Sequence, residues 1–286
     1  MPDEPHIVRR GELDVIQIDN AACSAEISLF GGHVLQWQPS GRKPVLWMSD
    51  TARYDGSTAL RGGVPICWPW FGAVADKGRH GLVRNRNWQV THFEDTANAT
   101  FVELEVNLSE SENPWPHPNK LVMKVSFGES LLQSLLVENT SDKPQCFNFA
   151  FHNYLRVSNP ATVTIPLLGS AFYEDKLTGQ QQQLENRDTE QLGYLGPLDR
   201  IYSSSERIEL LDPQYARKIC IDKQRSQHWV VWNPGSDAAS MDDVHESGEH
   251  EFLCVETANT SDIVIEPGEK MSMSQTISLE NLSQDH

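Results

Sequence analysis

The chain has 286 residues, 38% hydrophobic and 22% charged, with 40 Asp and Glu against 23 Lys and Arg for a formal net charge of −17. This is the composition of a soluble globular protein, and its acidity disfavours both a nucleic-acid backbone and an anionic membrane surface as partners. Five scattered cysteines without a CxxC pair, no stretch near the ~20 apolar residues of a membrane span and no apolar signal core point to a cytoplasmic protein without a zinc ribbon or redox motif.

Along the chain a periodicity of two dominates. "SAEISLFGGHVLQWQP" (residues 24–39) is the first strand-rich stretch, and in "ATFVELEVNL" the residues Val102, Leu104, Val106 and Leu108 alternate with Phe101, Glu103, Glu105 and Asn107. Such alternation predicts a strand with one buried face. "KLVMKVSFG" repeats the pattern, and "SLLQSLLVENT" follows through a glycine-containing turn, which predicts a hairpin. "PATVTIPL", "RIELLD", "RKICIDK", "QHWVVWNP", "HEFLCVET" and "KMSMSQTISL" are further short strand candidates. No capped helical pattern of twelve or more residues is present; "LENRDTEQLGYL" (184–195) is expected to hold at most a helical turn. The acidic "SDAASMDDVHESGEHE" (236–251) reads as an exposed loop whose His245 and His250 lack any metal-ligand spacing, so no metal is expected. Neither a repeat nor a linker divides the chain. Residues 1–286 are therefore expected to form one all-β sandwich or barrel domain with very little helix, loosely ordered at residues 1–10 and 281–286.

Four stretches carry side chains suited to chemistry. In "QCFNFAFHNYLRVS" (145–158), Phe147, Phe149 and Phe151 face one way as a core layer. Cys146, Asn148, Ala150, His152 and Tyr154 face the other, which sets an imidazole on a semi-polar surface. Glu256 follows the apolar run Phe252 to Val255 at an expected strand end; beside Cys254 and Val255 it would be partly desolvated and so hold a proton more tightly. "LRGGVPICWPWFG" (60–72) stiffens Arg61 with Gly62, Gly63, Pro65 and Pro69 and offers Trp68, Trp70 and Phe71 as flat apolar surface. "RHGLVRNRNW" (79–88) gathers three arginines and His80 in an otherwise acidic chain. A guanidinium can grip a phosphate through paired hydrogen bonds, so these arginines suit a small anion. The bland alternatives are a hydrogen-bonded structural histidine, a solvated strand-end carboxylate, a tryptophan-rich core plug and a solvated basic loop.

Taken in order, "LRGGVPICWPWFG", "HGLVRNRNW", "FHNYLRV", "FYEDKLTG", "DRIY" and "CVETAN…IEPGE" resemble the hexose-6-phosphate mutarotases, the glucose-6-phosphate 1-epimerases of the aldose 1-epimerase superfamily, over roughly residues 20–280. The resemblance implies a galactose-mutarotase-like β-supersandwich. It also implies an isomerase that interconverts the α and β anomers of a hexose 6-phosphate, a small molecule, without cofactor or metal; the chain is expected to be a monomer. Carried over by position, it implies His152 and Glu256 as the catalytic pair, Arg61 and Arg84 as phosphate ligands, and His80 and Asp175 as sugar contacts. Arg79 stands where the family often carries glutamine; it either adds a third cation for the phosphate or turns outward. Three alternatives use the same residues: a non-catalytic sugar-phosphate binder, an aldose 1-epimerase for unphosphorylated sugars, and a glycosidase built on Glu256 with Asp175, which would need two carboxylates flanking the scissile bond.

Overall fold

The computed structural model describes residues 4–112, 114–169, 171–183 and 193–282. Its strands are assembled antiparallel into three larger sheets and one small ribbon (Ala73–Val74 with Gly78–Arg79). A four-stranded meander runs His6–Arg10, Leu13–Asp19, Cys23–Ser28, His33–Pro39. A seven-stranded sheet is ordered Ile208–Asp212, Arg217–Gln224, Lys270–Asn281, Leu131–Asn139, Asn119–Phe127, Thr100–Leu108, Gln89–Asp95. An eight-stranded sheet is ordered Gln180–Gln183, Phe172–Asp175, Leu198–Ser203, His228–Asn233, Phe252–Ile265, Gln145–Phe151, Ile66–Cys67, with Tyr154–Arg156 also paired to Phe252–Ile265.

The alternation read from the sequence is what builds these layers. Val102, Leu104, Val106 and Leu108 are all buried; Val125, Met123 and Leu121 pair across from the first three, and buried Phe127 pairs with Thr100. Asn119–Phe127 and Leu131–Asn139 form the expected hairpin around Gly128. One apolar cluster runs from Ile16 to Ile277 and draws side chains from all three larger sheets. Each buried Val, Leu or Phe in it contributes roughly 1.5–3 kcal/mol over exposure. Among the described residues helical structure is confined to short 3-10 turns, and no helix is long and apolar enough to cross a membrane.

Four expectations need correction or qualification. The N-terminal segment is not loose through residue 10: His6–Arg10 pairs antiparallel with Leu13–Asp19, and at the other end Lys270–Asn281 stays in its sheet through residue 281. "PATVTIPL" forms only a single bridge between Thr164 and Leu211 before a 3-10 turn at Pro166–Leu168, where the proline withholds the donor a ladder would need. Glu256 is not at a strand end. Phe252–Ile265 continues nine residues past it on a polar run, and Thr257, Ala258 and Asn259 pair with Phe151, Ala150 and Phe149. The acidic stretch is not simply an exposed loop, because Ala238 and Val244 pack with Trp47, Tyr154 and Phe252. The segment expected to hold a helical turn, 184–195, lies outside the described residues through 192.

Candidate active site

The site lies on one face of the eight-stranded sheet. Cross-strand partners share a face, so registers Asp199↔Trp232, Trp232↔Cys254 and Cys254↔Tyr154 put four side chains in one row across four strands. Two residues beyond Cys254 on that face is Glu256. Two residues before Tyr154 is His152, at the point where the ladder breaks between Gln145–Phe151 and Tyr154–Arg156. The break is tightly held. The His152 and Tyr154 amides donate to Pro65 O (3.0 Å) and Gly63 O (2.9 Å) of the glycine-proline loop. Asn153, turned to the interior, donates to Val255 O (2.9 Å) and Gln275 Oε1 (2.8 Å). Gly63 is required there, since at φ +59° a Cβ would stand 2.3 Å from Val34 O.

His152 Nε2 and Glu256 Oε1 meet at 3.3 Å, with the two residues 7% and 1% exposed. His152 Nδ1 and Glu256 Oε2 are buried without a hydrogen-bond partner. Burial pushes the Glu256 carboxyl well up, the negative charge of Asp199 adds to this, and Arg84 opposes it. Burial pushes the His152 imidazole well down, helped by His80, Arg84 and Arg61. Both directions favour an uncharged pair that shares one proton.

Around this pair sit the other candidates. His80 lies edge-on to His152 with ring centroids 5.5 Å apart and also packs on Phe71. Its Nδ1 accepts from the Gly72 amide at 3.3 Å. Burial, with Arg84, Arg79 and Arg61, pushes its pKa down to about 3, so the neutral ring carries its proton on Nε2, free to donate to an oxygen. The turn that presents it depends on Gly81, where at φ +75° a Cβ would fall 1.9 Å from Trp68 O. Arg61 donates from Nη1 to Tyr154 Oη (2.8 Å) and pairs through Nη2 with Asp243 (3.1 Å). Arg84, on the 3-10 turn Val83–Asn85, has no carboxylate within ion-pair distance among the described residues; its charge still acts on His33, His80, His152 and Glu256. The Nε atoms of both arginines are buried without a partner.

The chain matches the Aldose 1-epimerase family over residues 14–278. It belongs to the aldose 1-epimerase family. A relative from Escherichia coli strain K12, provisionally named a glucose-6-phosphate 1-epimerase, is 31% identical over 256 residues, 88% of this chain and 85% of its own. The crystal structure of a provisionally named mutarotase from Salmonella typhimurium superposes with a TM-score of 0.88 at 29% identity, covering 96% of this chain and 93% of that one. A galactose mutarotase-like protein from Clostridium acetobutylicum shares the fold with a TM-score of 0.74 at 14% identity. The galactose-mutarotase-like all-β architecture is therefore that of this epimerase-family chain.

Against this geometry the sequence candidates sort unevenly. His152, Glu256, His80, Arg61 and Arg84 converge. Arg86, third of the clustered arginines, is instead spent on Glu112 at 2.6 Å. Arg79 takes neither of its two expected roles cleanly: it is exposed on the small ribbon, yet its charge reaches His80 and Asp199. Asp175 is turned to its own loop, its Oδ1 accepting from the amides of Leu177 (2.9 Å) and Thr178 (3.1 Å). The carboxylate that acts on Glu256 is Asp199, whose own pKa burial pushes up. Sequence reading quoted Asp199 within "DRIY" without assigning it; only its register with Trp232 places it on the site face. Among the described residues the one compact donor group is Glu209, Cys220 and Glu280, and Lys218 and Arg207 already lie in it as counter-ions. A groove of about 710 Å³ beside Asp19, Glu26 and Asp95 contains none of the site residues.

Proposed function

We propose that this aldose 1-epimerase family member interconverts the α and β anomers of a hexose 6-phosphate, glucose 6-phosphate being the expected substrate, by acid–base ring opening and closure. The observation that carries the reading is the contact between His152 Nε2 and Glu256 Oε1 at 3.3 Å, beside two arginines whose Nε groups lack partners.

A pyranose is a hemiacetal, so anomer exchange needs one proton taken from O1 and one given to the ring oxygen as the C1–O5 bond breaks. Rotation about C1–C2 and reclosure on the other carbonyl face inverts C1. The shared proton first passes from Glu256 to His152 across their contact; Glu256 then takes the O1 proton while His152, charged, protonates the ring oxygen, and the return steps use the same two groups in reverse. No electron transfer or Lewis acid is required by this balance. Positioned proton transfer typically contributes ~10²–10⁴-fold, enough for a reaction that already proceeds in water.

Arg61 and Arg84 would hold the 6-phosphate, remote from C1, so its binding energy orients the ring. The same dianion offsets the cationic field that disfavours charged His152, which favours the protonation state the reaction uses. His80 Nε2 and Asp199 would hold sugar hydroxyls, with Asp199 preferred to Asp175 for that role. The chain is taken to work alone, in the cytoplasm, where its five free thiols would remain reduced.

The test is NMR exchange spectroscopy of glucose 6-phosphate and of free glucose anomers with the purified protein. Acceleration of the phosphorylated sugar by at least tenfold more in kcat/KM than of the free sugar is expected. Equal acceleration of both would make the chain an aldose 1-epimerase for neutral sugars, and saturable binding without acceleration would make it a binding protein.

A further inference from the structure

Resting on the reading above, we infer that Tyr154 is a positioning residue that joins the anion end of the site to its proton-transfer end: its hydroxyl sets Arg61 and its ring sets His152.

The geometry gives one side chain two distinct attachments. At its tip, Tyr154 Oη accepts from Arg61 Nη1 at 2.8 Å. Along its face, the ring lies parallel to the His152 imidazole, with centroids 4.8 Å apart and planes 14° apart. No slack exists between these ends. Tyr154 is 3% exposed and packed by Trp47 (5.9 Å), Phe252 (5.2 Å) and Trp232 (6.2 Å), while Trp232 also meets the His152 ring edge-on at 6.0 Å. Its backbone is fixed on both sides, the amide donating to Gly63 O and the carbonyl accepting from the Trp47 amide at 2.9 Å. In a close-packed environment a rigid aromatic moves as one body, so whatever seats the guanidinium also seats the imidazole.

Arg61 has a second grip, the Asp243 carboxylate at 3.1 Å. That carboxylate comes from the acidic segment, itself fastened by Trp47 Nε1 donating to Glu251 (2.8 Å) and by the Arg156–Glu251 pair (3.4 Å). Arg61 is thus oriented between a neutral phenol and an anion. Burial pushes the Tyr154 phenol up, so it stays neutral and adds no charge to repel a phosphate. Of the two grips, only the phenol also touches the catalytic pair.

The two attachments are separable by substitution. Tyr154→Phe keeps the ring and removes the hydroxyl; Tyr154→Leu removes both. The loss in Tyr154→Phe should fall in KM for glucose 6-phosphate, which rises about tenfold as expected for a lost hydrogen bond to a charged group, with a parallel rise in the inhibition constant of inorganic phosphate. Tyr154→Leu should in addition lower kcat about tenfold or more and displace the pH–rate profile, because the imidazole loses its stacked neighbour. Restoration of kcat by phenylalanine, but not of KM, is the result that supports the inference. If Tyr154→Phe leaves KM and phosphate inhibition where they were, or if both variants lose only thermal stability with unaltered constants per folded molecule, the coupling role is overturned while the epimerase reading stands. Absence of exchange by the wild-type protein overturns both.

Discussion

The two ends of the candidate site are built differently. The proton-transfer end stands on strands and the break between two of them: Glu256 is fixed by sheet register, and His152 by the hydrogen bonds that its own amide and that of Tyr154 donate to the glycine-proline loop and by an amide network through Asn153 and Gln275. The anion end stands on connections: Arg61 comes from the glycine-rich loop and Arg84 from a three-residue 3-10 turn. The difference follows from range. Proton transfer requires heavy atoms within about 3 Å, so small errors of placement remove it. Charge–charge attraction falls only as the inverse of distance, so arginines on loops still act on His152 and Glu256 and would act on the proposed phosphate.

Breaking the strand-built end should have the largest effect. Glu256→Gln removes the proposed base, and anomer exchange of glucose 6-phosphate should fall in kcat by ~10³-fold or more, with KM much less affected. Because burial already holds the Glu256 carboxyl protonated and glutamine matches its shape, the same variant should leave thermal stability nearly unchanged, readable by calorimetry. Breaking the loop-built end should instead raise KM. Arg84→Ala should cost glucose 6-phosphate about a hundredfold in kcat/KM and free glucose less than fivefold, as expected for a lost charge-assisted contact. Equal losses on both sugars would erase the distinction between the ends.

Two finer tests separate the carboxylates at the rim. Asp199→Asn removes a negative charge that raises the Glu256 pKa, so the limb of the pH–rate profile belonging to Glu256 should move to lower pH, with kcat/KM falling about tenfold. Asp175→Ala should change kcat/KM by less than about twofold and lower stability by ~1 kcal/mol or less, since it loses only turn hydrogen bonds. The smallest effect on activity concerns His33, buried with Nε2 donating to Gly62 O (2.8 Å) and its pKa pushed down by burial to about 4. Unfolded, this imidazole gains a proton below about 6.5, whereas folded it resists until about 4. Stability should therefore be lost as pH falls through that window, by roughly 3 kcal/mol, and His33→Gln should flatten that part of a denaturation-versus-pH curve.

The fold class was legible in the sequence because buried faces in antiparallel sheets leave a period-two trace, as in residues 99–108. His152 was legible for the same reason: the three phenylalanines of 147–151 fix which side faces the core. Glu256 was found from its desolvated neighbours, although its place within the strand was misjudged. A polar run such as "TANTS" looks like a loop until its cross-strand partners are known. Asp175 and Asp199 could not be told apart by type or spacing, since their difference lies in which amides surround one and which strand borders the other. Tyr154 and Asp243 as holders of Arg61 were out of reach for the same reason. They are 93 and 182 positions away in the chain.

The contact between His152 and Glu256 also bears on how the catalyst resets. In the proposed reaction, ring opening moves a proton from O1 to the carboxylate and another from the imidazole to the ring oxygen, so the two groups trade states while their total is conserved. Reclosure trades them back on either face of the aldehyde. Each turnover then leaves the couple as it began, with no proton to be fetched from bulk solvent, and the exchange rate should be indifferent to buffer concentration.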